Sequence, residues 1–528
     1  MTSEIETRYR AILETLLSAI ASFNPLNGAK LFLFNLATPL EQAFIAPINR
    51  LPPEVLTHIF FCSLENNAYD LGTKGPPVFR RFPKISISPG GSSDPMVLAQ
   101  VCMLWRAIAL STPLLWSQFS IYCSRKQQII PILKAWLERS SDLPLTFTFF
   151  ESLDGLLAKQ RGPHHPTYGD PYQPAYNPLT TEVVSLLLEH SHRWKSVDFR
   201  FSRQLSHVLI NMPEGRLPIL ESASIESRDA VTLPCPPRDG LPQLEKVWKT
   251  MYSSPRFTSG KWEIDYLEAT PSLLILPWSR LTTADLSMTI KNLFKALREC
   301  PNLTTLRFVD PYAVCHHEHL NWMLKQATGL PLTHKPNVPD LPITLPFLQK
   351  LHLTTEESAD TMFQKLTLPA LTSLSIKQNW AWKSEPDPTE FLEFLNRSGC
   401  QLEKYFYNIS GAPISEKVLV AILESPSMSS ITSLQIDPPM TDKLFSLLTR
   451  VGERTAVLPR LERLTLGRCK NLPGSLIGMA QSRVVKTSDL AVLRDLYIHR
   501  WDCHELDVEG FKRLAEQGML LDVPSPTD

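Results

Sequence analysis

"LTSLSI", Leu371 to Ile376, sets apolar side chains at its first, fourth and sixth positions, and the phrase recurs along the chain. Variants run as "WKSVDF" from Trp194, "LESASI" from Leu220, "LTTADL" from Leu281, "LTTLRF" from Leu303 and "LQKLHL" from Leu348. They continue as "LEKYFY" from Leu402, "ITSLQI" from Ile431, "LERLTL" from Leu461 and "LRDLYI" from Leu493. Most successive copies begin about 22 to 32 residues apart, close to the period of repeats built from one strand and one helix. The alternating end of the phrase suits a short strand. Helices are expected between copies at "TEVVSLLLEH", "IKNLFKALREC", "PTEFLEFLNRSG", "SEKVLVAILES" and "DKLFSLLTRVG", where apolar residues fall at i, i+3 and i+4. One strand and one helix cannot bury both of their faces alone, but stacked copies can. The expected fold class is α/β: a solenoid over residues 179–523, parallel strands inside and helices outside, with a tail at 524–528.

Composition sets the outer bounds. A chain of 528 residues exceeds a single compact core, and 43% hydrophobic content supports large buried ones. Fifty-three basic and 53 acidic residues cancel, which leaves no electrostatic footprint for nucleic acid or an anionic membrane. The nine cysteines are scattered without a C-x-x-C pair, so neither a disulfide framework nor a zinc ribbon is expected, and a reducing compartment, cytoplasm or nucleus, follows. Glu4 and Glu6 stand where a signal peptide needs basic residues. The apolar run Leu26 to Ile48 is broken by Lys30, Pro39 and Glu41 and reads as a buried or partner-facing helix pair rather than a membrane span. Residues 1–47 are thus an N-terminal helical segment.

Ahead of the repeats, "INRLPPEVLTHIFFCSL", Ile48 to Leu64, reads as a short apolar helix followed by a Gly/Pro-rich loop, Asn66 to Pro95. Further Pro-rich breaks cover 161–178 and 329–346. Asp94 can cap a helix with Pro95 at its first position. That helix is expected to run through "MVLAQVCMLWRAIAL", with Leu98, Val101, Cys102 and Trp105 on one face, and to stop before Pro113. A "STPLLW" corner follows. The expected shared core is Val55, Leu56, Ile59, Phe60, Leu98, Val101, Trp105 and Trp116.

This set of residues resembles the F-box found in many mushroom-forming fungi, where Leu-Pro-x-Glu opens the first helix, Val-Cys-x-x-Trp-Arg lies on a later one and Leu-Trp closes the motif. The positions are filled by Leu51, Pro52, Glu54, Val101, Cys102, Trp105, Arg106, Leu115 and Trp116. The departure is the loop 65–94, inserted where a short F-box keeps a tight connection. The domain would span 48–121, with a linker and first strand region at 122–178. The repeats in turn resemble the irregular leucine-rich repeats that commonly follow an F-box; the family's Asn or Cys after the strand appears as Asn379 and Cys469, and most other copies lack it.

The resemblance implies a substrate-recognition adaptor of a ubiquitin ligase. The F-box would bind a Skp-family protein, and through it a cullin, while the repeats would hold a protein substrate; no nucleic acid, membrane or cofactor is expected, and the chain itself would catalyse nothing. Leu51, Pro52, Glu54, Val55, Ile59, Val101, Trp105, Leu115 and Trp116 are the residues expected at or directly beneath the Skp-facing surface. The alternative is a repeat scaffold that recruits no ligase.

Candidates for chemistry are few. "CHHEH", Cys315 to His319, is the one dense group of metal-capable side chains; His317, Glu318 and His319 are too close in sequence to face one ion, His316 and His319 could share a face, and the group reads as a solvated loop or helix start with no metal expected. Cys102 reads as a small core hydrophobe rather than a nucleophile. Trp248, Tyr252, Phe257, Trp262 and Tyr266 read as core of a degenerate repeat, with substrate contact as the rival reading. "NWAWKSEPDP", from Asn379, is the better candidate for a contact loop.

Overall fold

The computed structural model describes residues 48, 51–66, 84–85, 95–123, 129–151, 178–201, 206–209, 211–212, 215–227, 241–263, 278–288, 290–310, 342–355, 359–379, 388–410, 416–450, 457–469, 472, 474–484, 490–501 and 505–522. The segment 1–47, the "CHHEH" cluster and the body of "NWAWKSEPDP" lie outside them. The chain divides into two compact units: unit 1 runs to Asp229 and takes in Arg238–Arg256, and unit 2 holds Phe257 onward with Ala230–Pro237.

Unit 1 carries the parallel strands β1 (Lys84–Ile85), β2 (Gln118–Cys123), β3 (Leu145–Glu151), β4 (Trp194–Phe201) and β5 (Ser222–Ser227), each hydrogen-bonded to the next in sequence. Unit 2 repeats the scheme with β6 (Ser259–Glu263), β7 (Thr283–Ser287), β8 (Thr305–Val309), β10 (Lys350–Thr355), β12 (Ser373–Asn379), β13 (Lys404–Ser410), β14 (Ser433–Met440), β15 (Arg463–Cys469), β16 (Asp495–Trp501) and β17 (Leu520–Asp522). The short strands β9 (Ile343–Thr344) and β11 (Leu366–Thr367) pair with each other in parallel. Helices α1 (Pro53–Asn66), α2 (Pro95–Val101), α3 (Met103–Leu110), α4 (Ile129–Arg139), α5 (Pro178–Glu189), α6 (Ser206–Leu209) and α7 (Leu241–Tyr252) belong to unit 1. Unit 2 has α8 (Ile290–Arg298), α9 (Asp360–Lys365), α10 (Thr389–Ser398), α11 (Glu416–Leu423), α12 (Asp442–Leu448), α13 (Ser475–Ser482) and α14 (Glu505–Glu516). Parallel strands laid down in sequence order call for crossovers of one hand, which place the helices of each unit on one face of its sheet. The fold is α/β, a stack of strand–helix units.

Each of the ten phrases becomes a strand, and register explains why the phrase repeats. Leu306, Leu351, Leu374, Tyr405, Leu434, Leu464 and Leu496 stand side by side in one buried row. Phe308, Leu353, Ile376, Tyr407, Ile436, Leu466 and Ile498 form a second row two residues further on. The threonine after the opening apolar residue has its own task. The Thr304 hydroxyl donates to the Thr282 carbonyl at 2.9 Å, Thr372 to Gln349 at 3.3 Å and Thr432 to Glu403 at 3.2 Å, so the entries of these three strands are tied to the copy before.

The five expected helices form as α5, α8, α10, α11 and α12. Gly399 closes α10 at φ +61, a left-handed conformation that suits glycine, and its amide donates to the Leu395 carbonyl at 3.0 Å.

Some strands lacked the phrase. β6 lies in the long interval between "LESASI" and "LTTADL"; its inward position is Gly260, which pairs in register with Ala284, so small residues stand where the pattern calls for leucine. The sheet also reaches back before residue 179. Phe119 and Phe147, on β2 and β3, stack 5.6 Å apart in the buried layer. Trp248, Tyr252 and Phe257 are core, the first two stacked 5.0 Å apart; Trp262 falls in β6 and Tyr266 lies outside the described residues.

A second recurring device was invisible in the phrase. Helix C-termini leave carbonyls without intrahelical partners, and an arginine from further along the chain supplies the donors. Arg193 donates to the carbonyls of Leu137, Ser140 and Leu143 at the end of α4, Arg397 to those of Phe363 and Leu366 at the end of α9, and Arg483 to those of Leu448, Val457 and Leu458 after α12. The planar guanidinium suits the task because its donors diverge in a fixed fork.

Candidate functional site

The candidate surface is built in unit 1 from α1, α2, α3 and the 3-10 turn Pro113–Trp116. Pro53 sits at the first position of α1, where a missing amide costs nothing, and Glu54 adds a negative charge to the first turn. The Pro52 carbonyl accepts from the amides of Val55 at 3.0 Å and Leu56 at 3.1 Å. Leu56, Ile59, Phe60 and Ser63 recur at helical spacing and are buried. Phe60 meets Trp105 of α3 with ring centroids 4.7 Å apart, which joins the two motif halves across the inserted segment.

The single helix expected over "MVLAQVCMLWRAIAL" is two. Cys102 is extended at φ −156 and ψ 173, ending α2 and starting α3, and its Sγ accepts from the Trp105 amide at 3.5 Å. The break has a consequence for Val101. A continuous helix would place it on the face of Leu98 and Trp105, but it turns outward and is 49% exposed, so it leaves the expected core. Arg106 serves the same junction, its Nε donating to the Ala99 carbonyl of α2 at 2.8 Å. Cys102 is half-buried rather than part of the core.

The expected partner-facing set therefore separates. Pro52 and Glu54 are exposed, and Leu51 and Val55 are half-buried. Ile59, Trp105, Leu115 and Trp116 are buried. Trp116 acts as a joint: its indole donates to the Ala109 carbonyl at 2.8 Å, its ring meets Trp136 of α4 edge-on at 5.1 Å, and the Arg139 guanidinium lies over it at 4.5 Å.

What sequence reasoning passed over is the other side of α3. Trp105, Ile108 and Ala109 face inward, while Met103, Ala107 and Leu110 face outward, with Met103 84% exposed. Leu104 and Leu114 are exposed as well. The signal was in the sequence: "MLWRAIAL" is apolar all round except Arg106, and such a helix is normally covered on every side. An outward face of this composition is suited to burying apolar area against another protein. The core thiols offer no rival chemistry. Burial pushes Cys300 and Cys469 up to about 12 and Cys400 up to about 11, opposite to the shift that activates a nucleophile. Among the described residues no group of three or more His, Cys, Asp or Glu could hold a metal ion, and no helix is long and apolar enough to cross a membrane.

No family model matches the chain, and no curated protein matches it in sequence. Among solved structures it is similar to the complex of Rad7 and Elc1 in yeast, with 14% identity and a TM-score of 0.35 over 68% of this chain and 76% of that one. It is also similar to a Bacteroides fragilis protein, with 14% identity and a TM-score of 0.29 over 61% and 70%. At these scores the likeness carries no part of the functional reading, which rests on the residues above.

Proposed function

We propose that the chain is a non-catalytic adaptor in the cytoplasm or nucleus. Its N-terminal helices act as an F-box that docks a Skp-family protein, and through it a cullin, while the strand–helix units hold a protein substrate for ubiquitination. The observation that carries the reading is the outward apolar side of α3 with Val101, Met103, Leu104, Leu110 and Leu114, set over a core in which Trp105 and Phe60 lock the motif halves together. Support for the Skp family as the occupant is the motif itself, from Leu51-Pro52 to Leu115-Trp116. The chain would act by positioning, raising the effective concentration of a substrate lysine near the charged conjugating enzyme.

Co-purification tests the docking. The full chain is expected to retain a purified Skp-family protein through gel filtration, and Met103→Asp with Leu110→Asp is expected to lose it by at least a hundredfold in affinity, since two charges would enter a buried apolar contact. Both positions are exposed, so the thermal transition should not move. Retention by the double variant equal to that of the unsubstituted chain would overturn the reading.

A further inference from the structure

On the side of the unit 2 sheet away from the buried rows, register brings Arg307, Lys350, His352, Lys377 and Lys404 together. Arg307 and His352 are partners on β8 and β10; Lys350 and Lys404 both pair with Ser373, one from each side; and Lys377 stands further along β12. Lys350, Lys377 and Lys404 are exposed, and none makes an ion pair among the described residues. The outward positions of β8, β10, β12 and β13 contain no carboxylate. Among the described residues the acids nearest them are engaged or lie at the edge: Asp285 on β7 holds Arg307 at 3.1 Å, Asp437 on β14 accepts from the Asn408 side-chain amide, and Glu403 precedes β13. Burial, and after it the nearby charges of Arg307 and Lys350, hold His352 below its usual range.

We propose that this face seats an Asp/Glu-rich extended segment of a partner protein. Neighbouring strands lie about 4.8 Å apart and alternate residues of a strand about 6.6 Å apart, so the lysines span roughly 10 by 13 Å. An extended peptide presents its own alternate carboxylates at the same 6.6 Å interval. Half-buried Phe406, beside Lys404, offers an apolar contact within the charged field. Among the described residues the cations without an ion pair are lysines, hydrated point charges that accept carboxylates in many geometries, whereas the arginine that could grip a phosphate in a bidentate fork is already tied to Asp285. A polypeptide is favoured over nucleic acid because the chain as a whole has no basic surplus and this cluster is too short for a phosphate track.

The inference rests on reading the repeats as a protein-binding module, and its test needs no Skp-family protein, so each can fail without the other. The probe is a fluorescein-labelled twelve-residue peptide alternating Glu and Ala, titrated with the full chain. Its Gln counterpart and a single-stranded oligonucleotide of equal length serve as competitors. The Glu peptide is expected to bind, to weaken at least threefold between 50 and 200 mM salt, and to weaken at least tenfold in Lys350→Glu/Lys377→Glu/Lys404→Glu. Should charge reversal impair folding, the Gln triple variant decides, with at least a threefold loss expected. No binding of the Glu peptide, equal binding of the Gln peptide or by the Gln triple variant, or stronger competition from the oligonucleotide would overturn the proposal.

Discussion

Arg483→Leu is expected to destabilise the repeats around α12 and α13 by about 3 kcal/mol or more, because buried carbonyls without donors cost about 1–3 kcal/mol each. Arg483 is fully buried, and its guanidinium reaches the carbonyls of Leu448 at 2.6 Å, Val457 at 2.7 Å and Leu458 at 3.1 Å. Burial, with neighbouring Arg450 adding to it, lowers its pKa to about 10, and among the described residues its charge meets the three carbonyl dipoles and no carboxylate. One of those carbonyls belongs to Leu458, a non-glycine residue at φ +54, a strained left-handed conformation that the clamp helps to hold. Arg483→Lys keeps the charge but not the fork and should recover only part of the loss. Repeat stacks open locally, so the measurement is hydrogen exchange of β14, β15 and β16 against β10 and β12. Equal protection in Arg483→Leu and the unsubstituted chain would refute the clamp.

Gly467→Ala is expected to cost about 2–3 kcal/mol, in the range of overpacked cores. A Cβ at Gly467 would sit 2.5 Å from the Cα and the carbonyl oxygen of Asp437 and 2.9 Å from its carbonyl carbon. These are backbone atoms and cannot swing aside. The crowding traces to β14, whose register against β15 shifts between Ile436 and Pro439 and carries Asp437 onto its neighbour. Gly478, within α13, has nothing within 4 Å of the same added atom. Gly478→Ala should therefore stabilise by about 0.5–1 kcal/mol through helix propensity alone. Opposite signs for one substitution, read from chemical denaturation of the full chain, are the expected result. Two similar values would mean that the approach of Asp437 to Gly467 is not as described.

These two positions also show what the sequence could and could not disclose. The repeated phrase reports rows of buried residues, and a row is a local, periodic requirement, so "LTSLSI" and its variants located their strands directly. Arg483 works across a separation of 35 residues to Leu448, and nothing in its local pattern distinguishes it from a solvent-facing arginine at a helix end. Gly260 hid β6 for a related reason: the inward position was filled by a residue that pattern reading counts as punctuation. In the candidate site the motif identified Trp105, Leu115 and Trp116 as important, and the structure shows them as the packing beneath. Val101 was placed in that core by assuming a continuous helix, whereas the bend at Cys102 turns it outward. Helical periodicity could not foresee the bend, because Cys102 caps α3 with a thiol rather than with the usual hydroxyl or carboxylate.

The proposed docking of a Skp-family protein on the outward side of α3 is open to a direct test. Met103, the first residue of α3 and 84% exposed, reports on it directly, since peroxide converts an accessible methionine to its sulfoxide. Peptide mass spectrometry would follow the oxidation rate of Met103 in the full chain, alone and with saturating Skp-family protein, with buried Met288 and Met479 as references. Fast oxidation of Met103 in the chain alone and at least a tenfold slowing in the complex are expected, with the reference rates unchanged. A Met103 rate that the Skp-family protein leaves unchanged, or one already as slow as the references in the chain alone, would contradict it.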